Sequence, residues 1–390
     1  MAEQKTMLDV LFVNMFGPRS NAITGLTATE MVDHLHAEGL KVGFLSMKAH
    51  YRANRERGTS PKAYPIWEIR SWYGGDNRIL RLVMSLVGGL RLFLKACRIK
   101  HRTVVVMTEP PLLFFWFQLF RSLTSHRLGY YTMDVYPDAF VAGNYTQRDN
   151  LLYRLIHQVV YRKPPDWLVA LGKAQQQSLT AKFGSIPASL VFPCGLVPEV
   201  AEPAQRKTSA DEVSFGYGGN IGEAHDANFL VQFIEALDPA KHTIFLSLYG
   251  TKSEAVLSAV RGHPAVVLCP VLTQEDIAAI DVNLVSLLPA WDHVCVPSKA
   301  VTAVSCGNAL LLNVSTATDT WQMFSDAAWH IPPATDYRVA INEFLQNLTP
   351  KAIATRRAAA KHLAQRYWQE REQAFVAAAD FLRQPGTPGS

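Results

Sequence analysis

Apolar residues fall along this chain in two alternating patterns. Short, nearly continuous apolar runs occur at 10–14, 41–45, 104–107, 128–131 and 167–171. Between them lie longer stretches with helical apolar spacing, such as 25–38, which Thr24 or a neighbour would open as an N-cap. Runs of the first kind predict strands buried on both faces, and strands alternating with helices predict a parallel sheet covered on each side. The second half repeats the scheme, with strands expected at 214–217, 243–248, 266–268, 282–287 and 309–312. The fold class is therefore α/β, with two Rossmann-like, doubly wound domains. Ligands of such sheets bind beyond the carboxyl ends of the strands, so the loops after Asn14, Tyr131, Tyr217 and Leu287 should meet at a cleft between the domains.

The polar, aperiodic stretch 201–212 reads as a linker. It separates a first domain over 1–200 from a second over 213–350. Helices over 351–383 would follow, crossing back to the first domain, and 384–390 would be a disordered tail. A chain of 390 residues is too long for one ordinary core. Its composition is that of a folded protein, with 48% hydrophobic and 18% charged residues. No apolar run is long enough to span a bilayer, and residues 1–5 lack the features of a secretory signal. Cys97, Cys194, Cys269, Cys295 and Cys306 form no CxxC pair. A reducing, cytoplasmic setting is the expectation, with neither disulfide scaffold nor zinc site.

Charge adds an asymmetry. Residues 1–200 carry 24 Lys+Arg against 14 Asp+Glu, whereas the remainder is net acidic. Within the basic half, 78–102 holds seven basic residues and no acid among Leu, Val, Ile and Phe. Arg91, Lys95, Arg98 and Arg102 fall at helical spacing, as on a helix lying at an anionic membrane surface. The apolar 110–117 run adds to a membrane-facing segment over 78–120. A core helix with a solvated basic edge has the same pattern. Nucleic acid is not an expected partner, because the basic residues occur among aliphatics rather than stacking aromatics.

Chemistry concentrates in two places in the second half. Phe215-Gly-Tyr-Gly-Gly-Asn-Ile-Gly222 reads as a strand ending in a glycine turn, followed by a helix. Val296-Pro-Ser-Lys299 sets Ser298 and Lys299 at the start of another helix, with Cys306-Gly307 beyond. Glycines admit close backbone approach, and helix N-termini favour anions. Together these turns suggest a pocket for a nucleotide diphosphate.

With Asp134-Val-Tyr-Pro-Asp138 and the Gly25-bearing loop, these motifs make nearly the whole chain resemble GT-B glycosyltransferases of family 4. The resemblance is strongest to members that build bacterial exopolysaccharides, O-antigens and colanic acid. It implies GT-B architecture, a UDP- or GDP-sugar donor on the second domain and an acceptor on the first. It also implies transfer with retention of configuration, without a metal or other cofactor. The family's usual Glu-x7-Glu is absent, since its positions fall near Val294 and at Thr302.

On this reading Lys299 steadies the leaving diphosphate, while Gly219, Asn220, Gly222, His225 and Ser298 hold the nucleotide. Asp292 and His293 contact the donor sugar. Asp134 orients or deprotonates the acceptor hydroxyl, with Gly25, Thr27 and Asp138 on the acceptor side. Each has a structural alternative: a solvated lysine, a plain strand-helix turn, or a helix cap. The expected acceptor is a polyprenyl-diphosphate-linked saccharide, met at the inner face of the cell membrane, where other polysaccharide-assembly proteins could be partners. A nucleotide-sugar epimerase of the same fold and a catalytically silent assembly protein are the rival readings.

Overall fold

The computed structural model describes residues 7–48, 61–71, 78–195 and 212–384. The expected linker and tail lie almost wholly outside the described residues. Two compact units are formed, Met1–Cys194 with Arg371–Ser390, and Gly195–Glu370.

The first unit contains a seven-stranded sheet in the order β3-β2-β1-β4-β5-β6-β7. Its strands are β1 (Leu8–Val13), β2 (Val42–Lys48), β3 (Ile66–Arg70), β4 (His101–Val106), β5 (Arg127–Tyr131), β6 (Trp167–Ala170) and β7 (Ser189–Val191). The second unit contains six, in the order β10-β9-β8-β11-β12-β13. These are β8 (Val213–Asn220), β9 (His242–Tyr249), β10 (Val266–Leu268), β11 (Val282–Ser286), β12 (Ala309–Asn313) and β13 (Ala328–His330). Every pairing in both sheets is parallel. The order reverses between β1 and β4, and again between β8 and β11. Those are the switch points at which ligands of doubly wound sheets bind.

The central strands follow from their sequences. β1 reads Leu-Asp-Val-Leu-Phe-Val, and all of it but Asp9 is buried between helices. The edge strands β3, β7 and β13 escape the apolar-run signal, because an edge strand buries less and tolerates polar residues. β3, for example, is Ile-Trp-Glu-Ile-Arg and only half-buried.

Two expectations are corrected. β8 continues through Gly216, Gly218 and Gly219 to Asn220, so the turn is 221–226 rather than the glycines themselves. Gly216 is needed for packing, since a Cβ there would lie 2.7 Å from Ile280 Cδ1. The basic helix Arg78–Ala96 ends before Arg98, and Arg102 lies in β4. The expected stripe therefore breaks: pairing of the β-branched 103–106 run with β1 outweighs helical continuation. Gly88 and Gly89 do not interrupt that helix. They let it settle against Met47 and Trp116, each 3.0 Å from where a Cβ would stand.

The last helix, Pro350–Arg383, starts in the second unit and ends in the first. Its end is held by Arg371, which pairs with Glu30 through Nε (2.9 Å) and Nη2 and lies over the Phe192 ring. Among the described residues, no helix is long and apolar enough to cross a membrane.

Candidate functional site

In the second unit, the switch-point crevice is built by the loop after β8 and the loop after β11. The second loop leads through Pro297 into the helix Ser298–Ser305. Lys299, in the first turn, donates from Nζ to the Tyr217 hydroxyl (2.8 Å) and to the Asn220 carbonyl (3.0 Å). The ammonium also lies 4.0 Å from the centre of the Tyr217 ring. The crevice thus holds one cation against an aromatic face beside a helix N-terminus. Burial takes the pKa of Lys299 down to about 7, with Cys295 pulling the other way. The residue keeps part of its surface exposed while its ammonium is largely desolvated, so it is poised to take an anion.

The β8 end is shaped around this lysine. Gly219 has φ +114°, a backbone conformation suited to glycine. The side chain of Asn220 turns onto Gly250, where φ is +106° and a Cβ would overlap Asn220 Oδ1. Asn220 therefore offers its carbonyl to Lys299 and its side chain to the neighbouring loop. Gly222 opens the turn that leads to Asp226, the N-cap of helix Ala227–Glu235, whose carboxylate accepts from Phe229 N at 3.0 Å.

His225 differs from the expectation of a phosphate donor. Its Nδ1 is 2.7 Å from the Ser286 carbonyl, which can only accept, so Nδ1 carries the proton. Burial, with Lys299 second, holds its pKa well below the usual value. The neutral ring then presents Nε2 as an acceptor, which cannot donate to phosphate. A basic residue that the sequence reading missed is Lys252, after β9. It donates to the carbonyls of His225 (2.7 Å) and Glu223 (3.2 Å), tying down the 221–226 loop. Only the adjacency of β8 and β9 reveals this contact.

Asp292 and His293 sit in the loop after β11. Burial raises the pKa of Asp292, with a hydrogen bond from Ser315 opposing, and its Oδ1 is buried without a partner. His293 is exposed. Val294 and Thr302, both buried, fill the positions where the resembling family carries its glutamates.

In the first unit, Asp134 follows β5 and makes no hydrogen bond among the described residues, and burial pushes its pKa up to about 6. Close to it is a carboxyl that the sequence reading did not single out. Glu109 follows β4, accepts from Thr24 Oγ1 at 2.6 Å, and its carbonyl accepts from Met15 N after β1. Burial raises its pKa to about 7, the Thr24 bond lowers it and the Asp134 charge raises it. Thr24 is accordingly no N-cap: the helix Ile23–Ala37 starts two residues earlier than expected, with Ala22 as N-cap, leaving the Thr24 hydroxyl to orient Glu109. Two carboxyl groups with raised pKa values thus stand beyond the carboxyl ends of the neighbouring strands β4 and β5, with burial the main cause of each shift.

The other acceptor-side candidates are structural in this arrangement. Thr27 is 1% exposed, with its hydroxyl 3.4 Å from the Cys194 sulfur. Gly25 packs the same helix onto the loop after β1, where a Cβ would meet Phe16 Cβ at 3.1 Å. Asp138 is committed to Tyr161 Oη and Lys182 Nζ, each at 2.6 Å. Of the basic candidates, Arg91, Arg98 and Arg102 are exposed and Lys95 is half-buried. Arg91 donates to the Arg70 carbonyl (3.0 Å), and Arg102 pairs with Asp9 at 3.4 Å. The 110–117 run is mostly core, with Leu112, Leu113, Phe114 and Phe117 buried.

No family model and no curated protein matches the chain. Solved structures do match it. Sucrose-phosphate synthase from Thermosynechococcus elongatus shares 13% identity at a TM-score of 0.72, over 96% of this chain and 98% of that one. WaaG, a glycosyltransferase of lipopolysaccharide biosynthesis, gives 15% and 0.64, over 96% and 100%. Anabaena HepE, solved with UDP and glucose, gives 12% and 0.61, over 96% and 100%. The fold is GT-B. At such identities the likeness establishes the GT-B fold alone, and the roles of residues rest on their geometry.

Proposed function

We propose that the chain is a glycosyltransferase that moves a sugar from a UDP- or GDP-sugar to a lipid-linked saccharide in cell-surface polysaccharide synthesis. The observation that carries this reading is Lys299, a desolvated ammonium at a helix N-terminus in the switch-point crevice of the second unit. Breaking a glycosidic bond to a diphosphate leaves charge on the diphosphate. A fixed cation and backbone N–H groups stabilise that charge without reorganising. Backbone N–H groups around Gly219 and Gly222 complete the donor side, and Ser298 contributes from the helix start. His225 supports the loop and accepts at Nε2, while Asp292 and His293 face the sugar.

The acceptor hydroxyl would be oriented, and its proton taken, by Asp134. A carboxyl with pKa of about 6 suits a general base near neutrality. Hexosyl transfer, retention and independence of metal belong to the proposal through the family 4 resemblance. So does peripheral attachment at the cytoplasmic face of the membrane, where the exposed Arg91 and Arg98, with Lys95, would meet anionic lipid. WaaG and HepE are consistent with a surface-polysaccharide role and a nucleotide-sugar donor. A silent relative is the second reading, favoured by Val294 and Thr302 at the glutamate positions.

Thermal shifts with UDP, GDP and their sugars test the proposal. A ligand at about 100 times its Kd should stabilise the fold by ~2.7 kcal/mol. Stabilisation by one nucleotide class, weakened in Lys299→Ala, supports it. Stabilisation by none, with or without acceptor lipid, refutes it.

A further inference from the structure

Beyond Asp134 the first unit carries a second polar hollow. The segment 143–150 links the helix Asp138–Ala142 to the helix Leu151–Val160. Tyr145, Thr146, Gln147, Asp149 and Asn150 line a cavity of about 380 Å³ there, a size that suits a small ligand.

Local hydrogen bonds fix the shape of this cavity before anything binds. The first helix closes with Tyr145 N donating to the Phe140 carbonyl (2.8 Å) and Asn144 N to the Val141 carbonyl (3.0 Å). Asn144 takes φ +57°, the left-handed conformation that such a helix end requires and asparagine accepts. The Tyr145 ring then lies against Gly143, where a Cβ would stand 2.7 Å from Tyr145 Cε2. Glycine thus gives the ring a backbone floor, while Tyr145 remains 53% exposed. At the other end Asn150 N donates to the Gln147 carbonyl (3.2 Å). Asn150 Oδ1 accepts from Leu152 N (3.0 Å) and Tyr153 N (3.2 Å). That cap uses the oxygen of Asn150 and leaves its Nδ2 hydrogens for a ligand acceptor.

The lining selects the ligand. A tyrosine ring combines an apolar face with a polar tip. A pyranose has the matching surface, with C–H groups on one face and hydroxyls around its rim. Gln147 can donate and accept, Asn150 donates, and Asp149 accepts. Among the described residues, Asp149 is the one charged group of the lining, and Arg148 is not part of it. A uronic acid or a phosphorylated sugar would meet like charge there, whereas a neutral sugar would not.

Topology places the hollow. Both helices belong to the crossover from β5 to β6, so the chain between them stands at the carboxyl edge that carries Asp134. The helix Asp138–Ala142 puts about 7.5 Å of rise between the two. A sugar in the hollow is therefore a neighbour of the reacting sugar and not the reacting sugar itself.

We infer that Tyr145 and Asp149 form a subsite for a neutral pyranose of the acceptor, beside the sugar whose hydroxyl Asp134 orients. The inference rests on the saccharide acceptor proposed above. It adds recognition of a second sugar, so the acceptor is at least a disaccharide. A glycosyl transfer onto a lipid-linked monosaccharide must then come before this reaction.

Saturation-transfer NMR titrations with methyl glucoside, galactoside and mannoside, and with methyl glucuronide, test it. At least one neutral glycoside should bind wild type. Tyr145→Ala should raise its Kd about five- to tenfold with an unchanged thermal midpoint, and Gly143→Ala, which displaces the ring, should raise it too. Tyr145→Phe should keep most of the affinity. The glucuronide should bind more weakly than the glucoside, and Asp149→Asn should narrow that gap. With labelled donor and polyprenyl-linked saccharide extract, Tyr145→Ala should raise the acceptor KM and leave kcat unchanged. No binding of any neutral glycoside, or equal binding by wild type and Tyr145→Ala, overturns the subsite, while nucleotide stabilisation decides separately whether the donor reading stands. A midpoint that falls in Tyr145→Ala with unchanged glycoside affinity assigns the ring to the helix end alone and also overturns it. Tyr145-dependent glycoside binding in a protein that no nucleotide stabilises would keep the sugar site and refute its acceptor role.

Discussion

If Lys299 holds the donor diphosphate as proposed, its pKa of about 7 should make donor affinity depend on pH. Only the ammonium form attracts a diphosphate, so affinity should be nearly complete at pH 6 and decline as pH rises through 7. With a pKa of about 7, the charged fraction falls from about 90% at pH 6 to about 10% at pH 8. The Kd for a nucleotide sugar should therefore rise about tenfold over that window. A nucleotide sugar is the right probe, because its diphosphate diester keeps its charge throughout. His225 stays neutral over the same range, since burial and Lys299 hold its pKa well down. Lys299→Arg keeps a permanent charge and should flatten the profile. Lys299→Ala removes charge-assisted hydrogen bonds worth ~1.5–3 kcal/mol, weakening binding roughly ten- to hundredfold at pH 6. Isothermal titration calorimetry of the three proteins at several pH values reads all of this. A flat wild-type profile, or a slope that persists in Lys299→Arg, would refute the reasoning.

Three further outcomes are expected. Glu109 and Asp134 have folded pKa values of about 7 and about 6, against ordinary values of 4.5 and 3.8. Between about pH 4 and 7 the folded protein holds protons that the unfolded chain has released, so stability falls as pH rises through this window. Glu109→Gln and Asp134→Asn should thus match wild type in thermal midpoint near pH 4 and exceed it at pH 8. Asp138→Ala strands Lys182 and Tyr161 and should cost about 3 kcal/mol in chemical denaturation while leaving calorimetric donor affinity unchanged. Gly250→Ala should destabilise more than Gly219→Ala, because both carry positive φ but only the Cβ at 250 overlaps Asn220.

The central strands were legible because burial on both faces demands continuous apolar runs, and those runs are visible at 104–107 and 309–312. Edge strands such as Ile66–Arg70 bury one face at most and leave no such trace. Lys299 could be read from its place after Pro297 at a helix start. Its partners could not: the Asn220 carbonyl lies 79 residues earlier, and only the sheet brings it close. Thr24 and Glu109 are 85 residues apart, so their contact was equally hidden. A carboxylate two residues beyond the 104–107 run was the available signal for Glu109. The helical stripe through Arg102 failed because a spacing match does not weigh the competing strand pairing.

The most direct test of sugar transfer uses UDP- and GDP-sugars labelled in the sugar, incubated with the protein and bacterial polyprenyl-linked saccharide extract. Label should pass from one donor into the organic-extractable lipid fraction, and Lys299→Ala should abolish most of that passage. A donor that binds with the expected dependence on Lys299 yet leaves all label in the aqueous phase would contradict the transferase claim.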